Sequence, residues 1–448
     1  MDTLAVAKPC VQSLSDSVRE KIGQNIHRCW QCIKCTSGCP LADQFDVPPH
    51  QVMRSLQFGD ARVLQSRAIW LCASCQTCAT RCPRGIDVTS VMDALRWEAR
   101  RRGVRPGIPD IAKFNSIFMR LAAWFGRVPE ALLMAAYNLA RGRPFHDARL
   151  GWELFRRGRL KLWPGIVRPP QSVEPVAQGA NKVAYFPGCA SEGSAFDYDR
   201  TARAAARELG IELIEPKGWT CCGASSAHST DAEAARVMPL RTLATVERMA
   251  LQTLTSPCSA CFSRLKFAQH EALAPVNVQH LLDTFLERAG TAQIAARVRR
   301  PLAGLKVACY YGCLITRPAR VTLAEHPEYP MKMDDLVGSL GAQALAWSSK
   351  TDCCGGSLGL TQTGAALKLS ERVLANARAC GAELIATMCP LCHVNLDVRQ
   401  QRFAGAPVPI VHATQLMLLA FGLGERETLL DKALVDPRPL LRSKGLLG

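Results

Sequence analysis

Apolar residues recur at helix-like spacing from Val52 to Leu71, with Met53, Leu56, Val63 and Leu64 marking the repeat, and this predicts helical turns there. From Pro106 to about Pro170 the chain is amphipathic and Arg-rich, punctuated by Pro106-Gly107 and Pro164-Gly165, a pattern that predicts a helical connector. The Pro, Gly, Gln and Ser content of Arg168 to Asn181 reads as a linker. Beyond it, β-like runs occur at Val183–Phe186 and Val307–Tyr311. Each is followed by helix-patterned segments, such as Asp231–Leu251 and Ala365–Ala379, and then by a second β-like run such as Leu384–Thr387. Strands alternating with helices predict α/β architecture for this half.

These β-like runs belong to an internal duplication. KVAYFPGC (Lys182 to Cys189) matches KVACYYGC (Lys306 to Cys313), WTCCGA (Trp219 to Ala224) matches TDCCGG (Thr351 to Gly356), and SPCSAC (Ser256 to Cys261) matches TMCPLC (Thr387 to Cys392). The first hundred residues carry a shorter duplication: Cys29, Cys32, Cys35, Cys39 and Pro40 repeat as Cys72, Cys75, Cys78, Cys82 and Pro83. The chain therefore reads as four segments: 1–105, a connector and linker at 106–180, and duplicated units at 181–300 and 301–448.

At 448 residues the chain is long enough to bury full cores without covalent staples. Its 21 Cys are thus a matter of chemistry, not stability, and their tight clustering reads as metal binding in a reducing compartment. The N-terminus lacks the basic and apolar regions of a signal peptide. No stretch reaches the roughly 18 apolar residues a membrane span requires; the longest candidate, Val128 to Ala140, carries Glu130 and Asn138. A cytoplasmic protein is expected, or one held at the inner membrane through a partner. The formal charge of +17 invites a nucleic-acid reading, but no recognition motif accompanies it. Metal-bound Cys are thiolates, and the basic residues between Arg96 and Arg168 read as a solvated helical face that also compensates anionic clusters.

The run C-x2-C-x2-C-x3-C-P is the ligand pattern of bacterial two-cluster ferredoxins, in which the fourth Cys serves the other cluster. One [4Fe–4S] cluster is expected on Cys29, Cys32, Cys35 and Cys82, the other on Cys72, Cys75, Cys78 and Cys39. Separated Cys pairs would suit structural zinc; this triplet-plus-one spacing, found twice, does not. In the second half each unit gathers five thiols: Cys189, Cys221, Cys222, Cys258 and Cys261, then Cys313, Cys353, Cys354, Cys389 and Cys392. Tetrahedral zinc or a regular cubane uses only four. Adjacent Cys suit an opened, irregular cluster, with Gly223 and Gly355 supplying backbone freedom at the turn.

On these motifs the chain resembles heterodisulfide reductase. The Cys-Cys-Gly units are similar to its catalytic (B) polypeptide and the N-terminal segment to its electron-transfer (C) polypeptide. The stretches IWLCASCQTCATRCPRGID (Ile69–Asp87) and CPLCHVNLDVRQ (Cys389–Gln400) carry the likeness, and the order is that of the fused C-then-B form. The resemblance implies a multidomain α+β chain: a mostly helical ferredoxin-like domain with two cubane clusters, then two α/β Cys-Cys-Gly domains, each holding a noncubane [4Fe–4S] cluster. It implies that the ten Cys of those domains form the site where a disulfide is split into two thiols, or formed in reverse. The second motif departs slightly, with 34 residues between Cys354 and Cys389. A related layout, in iron–sulfur subunits of glycolate, lactate and glycerol-3-phosphate oxidation, implies a quinone-linked relay instead. A third reading is sulfur-carrier work in an oxidative pathway.

No nucleotide-binding fingerprint occurs, so electrons are expected from a partner: a flavin-containing polypeptide resembling the flavoprotein of heterodisulfide reductase, or a membrane cytochrome b. Cys309 and Cys380 read as small buried thiols, and Cys10 carries no signal. His228 and His393 closely follow Cys motifs and are candidates to protonate a leaving thiolate. Trp30, Trp70 and Trp219, each near Cys, read as shields of the clusters from water.

Overall fold

The computed structural model describes residues 13–163, 165–177 and 179–447, so Cys10 lies outside the described residues. The chain divides into two compact units, Met1–Ala112 and Lys113–Gly448.

The first unit is helical. It comprises α1 (Leu14–Ile22), α2 (Lys34–Ser37), α3 (Pro49–Gln57), α4 (Ala68–Leu71), α5 (Thr77–Arg81) and α6 (Val88–Arg101). The helix-like text from Val52 to Leu71 resolves into the end of α3, a 3₁₀ turn at Ala61–Gln65, and α4. Asp87 caps α6 by accepting from Ser90 N at 3.0 Å, satisfying one of the free N–H groups of the first turn. The apolar stripe of α6, Val91, Met92, Leu95 and Ala99, is buried, as are Val52, Met53 and Leu56 of α3. Glu98 on α6 is enclosed; Ser17 Oγ donates to it at 2.8 Å, and Arg101 and Arg102 pair with it at 2.8 and 2.9 Å.

Helices α7 (Pro109–Phe125), α8 (Glu130–Ala140) and α9 (Ala148–Arg156) follow, where the sequence predicts a connector. These helices do more than connect: Phe118, Leu121, Ala122, Val128 and Leu133 form an apolar cluster that includes Cys221. Two four-stranded sheets follow. The first contains β1 (Lys182–Tyr185), β2 (Glu212–Ile214), β3 (Thr253–Ser256) and β4 (Asn277–His280); the second contains β5 (Lys306–Tyr310), β6 (Gln343–Ala344), β7 (Leu384–Thr387) and β8 (Ile410–His412). Every pairing is parallel, and the orders β2-β1-β3-β4 and β6-β5-β7-β8 repeat one topology.

Helices α10 (Phe196–Glu208), α11 (Ala227–Thr230), α12 (Ala232–Arg248), α13 (Ser259–Ala272) and α14 (Leu281–Arg288) accompany the first sheet. After α15 (Gly290–Ala296), the second sheet has α16 (Ala319–Thr322), α17 (Lys332–Ser339), α18 (Thr363–Ala379), α19 (Pro390–Arg399) and α20 (Ala413–Ala420). One core joins the two halves: Val183, Tyr198, Leu281 and Phe285 from the first pack in the same cluster as Val307, Met333, Val411 and Leu416 from the second. The duplicated regions are therefore not independent bodies, and the sequence boundary near residue 300 crosses a common core.

In open parallel sheets, ligands settle beyond the carboxyl ends of the strands, where the strand order reverses. That point lies between β1 and β3 in the first sheet and between β5 and β7 in the second. Cys189 and Cys258 follow β1 and β3; Cys313 and Cys389 follow β5 and β7. The topology alone brings the Cys motifs together.

Candidate metal centres

In the first unit, each C-x2-C-x2-C loop is bent inward by two left-handed residues that are not glycine: Gln31 and Ile33 in one copy, Ser74 and Gln76 in the other, with φ of 56°, 65°, 52° and 61°. This conformation is costly for ordinary side chains, above all for a β-branched residue such as Ile33. The same strain at matching positions of both copies turns three sulfurs toward one side. Cys29, Cys32, Cys35 and Cys82 line a single cavity together with Met53 and Ile86. Ile86 N donates to Cys82 Sγ at 3.3 Å, and Gln31 Nε2 to Cys29 Sγ at 3.4 Å. Cys39 has Cys75 and Cys72 as electrostatic neighbours, so the fourth Cys of the first run faces the second run. Thr77 Oγ1 lies 3.3 Å from Cys75 Sγ, and Thr89 Oγ1 3.6 Å from Cys78 Sγ. Burial pushes the Cys35 thiol up to about 11 and raises Cys39, Cys72 and Cys78 as well. Cationic metal would reverse this by compensating thiolates that burial otherwise disfavours.

In the second unit, Cys258 and Cys389 cap the N-termini of α13 and α19, which places Cys261 and Cys392 in the first helical turns, where the dipole favours thiolate. Cys222 Sγ is 3.1 Å from Cys261 Sγ, and Cys354 Sγ is 3.5 Å from Cys392 Sγ. Cys221 contacts both Cys189 and Cys222, and Cys261 contacts Cys258, so the first five sulfurs form one continuous group. Cys389 contacts Cys392 and also Cys258, which joins the two groups. Hydrogen bonds from Cys221 and Cys261 hold Cys222 well below the usual thiol range; those from Cys258 and Cys392 do the same for Cys389. Cys354 is lowered by its bond with Cys392. The sulfurs of Cys354, Cys392, Cys353 and Cys313 surround the buried Tyr310 phenol, which burial raises far above its ordinary value.

Backbone groups complete the cradles. Gly223 N and Gly355 N donate to Cys221 and Cys353 at 3.4 Å, and Val128 N donates to Cys189 at 3.5 Å. Gly223 and Gly355 adopt φ of 81° and 79°, and a side chain there would meet Ala227 Cβ at 2.7 Å and Ala366 Cα at 2.8 Å. Two further glycines, which the motifs did not single out, matter as much. At Gly188 and Gly312 an added Cβ would lie 3.0 Å from Cys261 Sγ and 2.9 Å from Cys392 Sγ. Their signal was present: a Gly precedes the first Cys of both copies.

The donor set fits iron–sulfur chemistry. Five thiols linked in one chain of contacts, as in the first copy, exceed a mononuclear zinc site, and soft thiolates select clustered iron. Close in sequence to Cys258 and Cys389, Ser256 Oγ and Thr387 Oγ1 are buried polar atoms without a hydrogen bond. Such atoms are costly to bury unpaired, and they suit a resident anionic group.

Other expected roles turn out differently. Trp70 and Trp219 are buried; Trp30 is 68% exposed, yet it lines the cavity that also holds Cys29, Cys32, Cys35 and Cys82. His393 is fully buried, with Nε2 3.1 Å from Ile410 O and Nδ1 3.4 Å from Arg159 Nη2. Burial and Arg159 push it well below the ordinary His range, so it is held neutral with both nitrogens engaged. His228 is buried on α11. Asp197, His393 and His412 bring donor atoms within 4.8 Å of one another, yet the two imidazoles stack at 4.2 Å and 18°, so their lone pairs run parallel instead of converging on an ion. Cys309 is buried on β5, and Cys380 closes α18, half-buried.

Comparison with known proteins agrees with this geometry. Residues 28–87 match the 4Fe-4S dicluster domain, and residues 183–266 and 307–397 match the cysteine-rich domain family. The chain is 32% identical over 281 residues to the 8-methylmenaquinol:fumarate reductase membrane anchor subunit of Wolinella succinogenes, covering 57% of this chain and 98% of that protein. It is 26% identical over 275 residues to the B polypeptide of the ferredoxin/F(420)H(2)-dependent CoB-CoM heterodisulfide reductase of Methanosarcina acetivorans, covering 55% and 91%. The chain is also 34% identical over 98 residues to the C polypeptide of the ferredoxin:CoB-CoM heterodisulfide reductase of the same organism, covering 22% of this chain and 40% of that protein. The crystal structure of a hypothetical protein from Helicobacter pylori shares the fold, with a TM-score of 0.58 at 10% identity, over 86% of this chain and 69% of that one. The chain belongs to the iron–sulfur family of heterodisulfide reductase polypeptides, with a dicluster region of the C kind fused ahead of paired cysteine-rich domains of the B kind.

Proposed function

We propose that the chain is the iron–sulfur catalytic component of a heterodisulfide reductase-like complex that cleaves, or in reverse forms, a disulfide. Cys29, Cys32, Cys35 and Cys82 would hold one cubane [4Fe–4S] group, and Cys72, Cys75, Cys78 and Cys39 the other. Cys189, Cys221, Cys222, Cys258 and Cys261 would hold one noncubane group, and Cys313, Cys353, Cys354, Cys389 and Cys392 its counterpart. When bound, these groups supply single electrons in succession and iron atoms able to retain a thiolate. Cleaving RS–SR consumes two electrons and two protons and releases two thiols. The observation that carries the reading is the interaction between Cys258 and Cys389, which brings the thiols of the two Cys-Cys-Gly copies next to one another, with enough donors for both halves of a disulfide. Glycine backbones and main-chain N–H groups orient the sulfurs. Buried Phe186, Trp219, Tyr310 and Trp347 pack beside the Cys and keep water out.

Electrons would come from a flavin-containing polypeptide resembling the flavoprotein of heterodisulfide reductase, or from a membrane cytochrome b. Among the described residues no helix is long and apolar enough to cross a membrane, so attachment to one would run through such a partner. A cytoplasmic-side location follows from the same reading. The second reading, an electron relay in a quinone-linked dehydrogenase of the glycolate, lactate or glycerol-3-phosphate type, is favoured by one finding: the name of the Wolinella relative links that protein to a methylmenaquinol. Turnover of reduced viologen with a panel of disulfides, set against quinones, separates them. Disulfide-dependent oxidation is expected; oxidation by quinones alone would select the relay.

A further inference from the structure

The two Cys runs of the first unit differ in what they present to solvent. Between Cys29 and Cys35, Trp30 is 68% and Ile33 49% exposed, and Cys32 is itself exposed. Phe58, 72% exposed, ends α3 beside Gln57, whose side chain reaches back to donate to Cys29 O at 3.0 Å. The equivalent positions in the second run are Ala73, Ser74, Gln76 and Thr77; Gln76 and Thr77 are buried, and no large apolar side chain is exposed there. Exposed Trp beside Arg is the composition of an interaction hot spot, not of a solvated loop. Arg84 stacks on the Trp30 ring at 4.2 Å.

The charge along the two Cys runs has one sign. Arg28, Lys34, Arg81 and Arg84 flank the Cys, and neither residues 24–40 nor residues 72–86 contain an Asp or Glu. None of the salt bridges among the described residues involves Arg28, Lys34 or Arg84. A basic rim around a small apolar centre fits an acidic partner and steers its approach. Electron-transfer encounters are small and transient, which an apolar centre of two or three side chains suits.

We propose that Trp30, Ile33 and the surrounding cations form the docking site of an acidic one-electron carrier protein, a donor additional to the flavin-containing polypeptide or cytochrome b named above, making the Cys29–Cys32–Cys35–Cys82 centre a port through which electrons enter the chain. The inference rests on the reading that these four Cys hold an iron–sulfur group. One electron passes per encounter: the carrier is oxidised by one, the centre reduced by one, and no covalent bond forms or breaks.

The test uses the full, cluster-loaded chain, with reduced acidic [2Fe–2S] ferredoxin as probe and reduced methyl viologen as a small reductant that needs no docking. The second-order rate with ferredoxin is expected to fall about tenfold or more between low and high salt, and by a similar factor in the Arg28→Glu/Lys34→Glu variant at low salt. Trp30→Ala should weaken binding of oxidised ferredoxin in surface plasmon resonance. Reduction by viologen should be unchanged in all variants. Equal ferredoxin rates in wild type and variants, or equal losses with viologen, would overturn the docking site. Iron analysis separates the failures: absence of iron at these Cys would remove the underlying reading, whereas full iron without salt dependence would remove only the port.

Discussion

The side chains of Cys258 and Cys389 interact although 131 residues separate them, each residue standing just ahead of a helix that follows a central strand of its own sheet. The interaction brings the thiols of the two copies together. Replacing either residue should therefore disturb both groups: Cys258→Ser or Cys389→Ser is expected to lower iron by about four atoms per chain and to alter the electron paramagnetic resonance of the remaining centre. A spectrum of the surviving centre identical to wild type would mean the sites act separately.

Gly188 and Gly312 sit at φ of 83° and 70° with sulfur about 3 Å from where a Cβ would be. Gly188→Ala and Gly312→Ala should each cost about 1–3 kcal/mol and reduce cluster occupancy. Gly210→Ala is the control, since Gly210 has φ 71° but open space around it, and should cost only about 1 kcal/mol. Urea midpoints and iron content read the difference; equal effects at all three positions would refute close approach of sulfur as the reason for glycine.

Burial alone would raise the carboxyl of Glu98, but hydrogen bonds from Arg101, Ser17 and Arg102 hold it down at about 2. A carboxyl lowered on folding stabilises the native state above its unfolded value and loses that contribution as pH falls through the folded value. Glu98→Gln should thus be destabilising near neutrality, and the gap to wild type should close as pH drops from about 4.5 toward about 2. Unfolding followed by circular dichroism across that range checks it; a gap that is constant with pH would contradict the ion-pair account.

Cys309 lies on β5 with no exposure, and Trp347 Nε1 donates to its backbone O at 3.1 Å. Cys309→Ala should keep full iron and cost about 1 kcal/mol. Cys313→Ala, four residues on, should lose iron. Equal iron loss in the two variants would place Cys309 among the ligands.

Much of this was legible in the chain. Leu384–Thr387 is β7 as expected from its apolar run, Ala365–Ala379 falls within α18, and Asp231 caps α12 near the start of the expected helix. The paired Cys motifs pointed to thiols that the fold brings together, such as Cys222 with Cys261 and Cys354 with Cys392. Strands β2 and β6 were not legible: they hold three and two residues, too few to show a period. The apolar core shared by the two halves was hidden as well, because Leu281 and Val411 meet only in three dimensions. The helices at 109–156 looked like a spacer, and nothing in their spacing indicates that Gly126 O accepts from Cys221 N at 2.8 Å.

The most direct test is spectroscopic. In the oxidised, iron-replete chain, titration with thiol substrates should generate a new paramagnetic signal, and Cys222→Ser or Cys354→Ser should abolish it without unfolding the protein. Full iron content with no thiol-dependent signal, or zinc bound where iron is expected, would contradict the account.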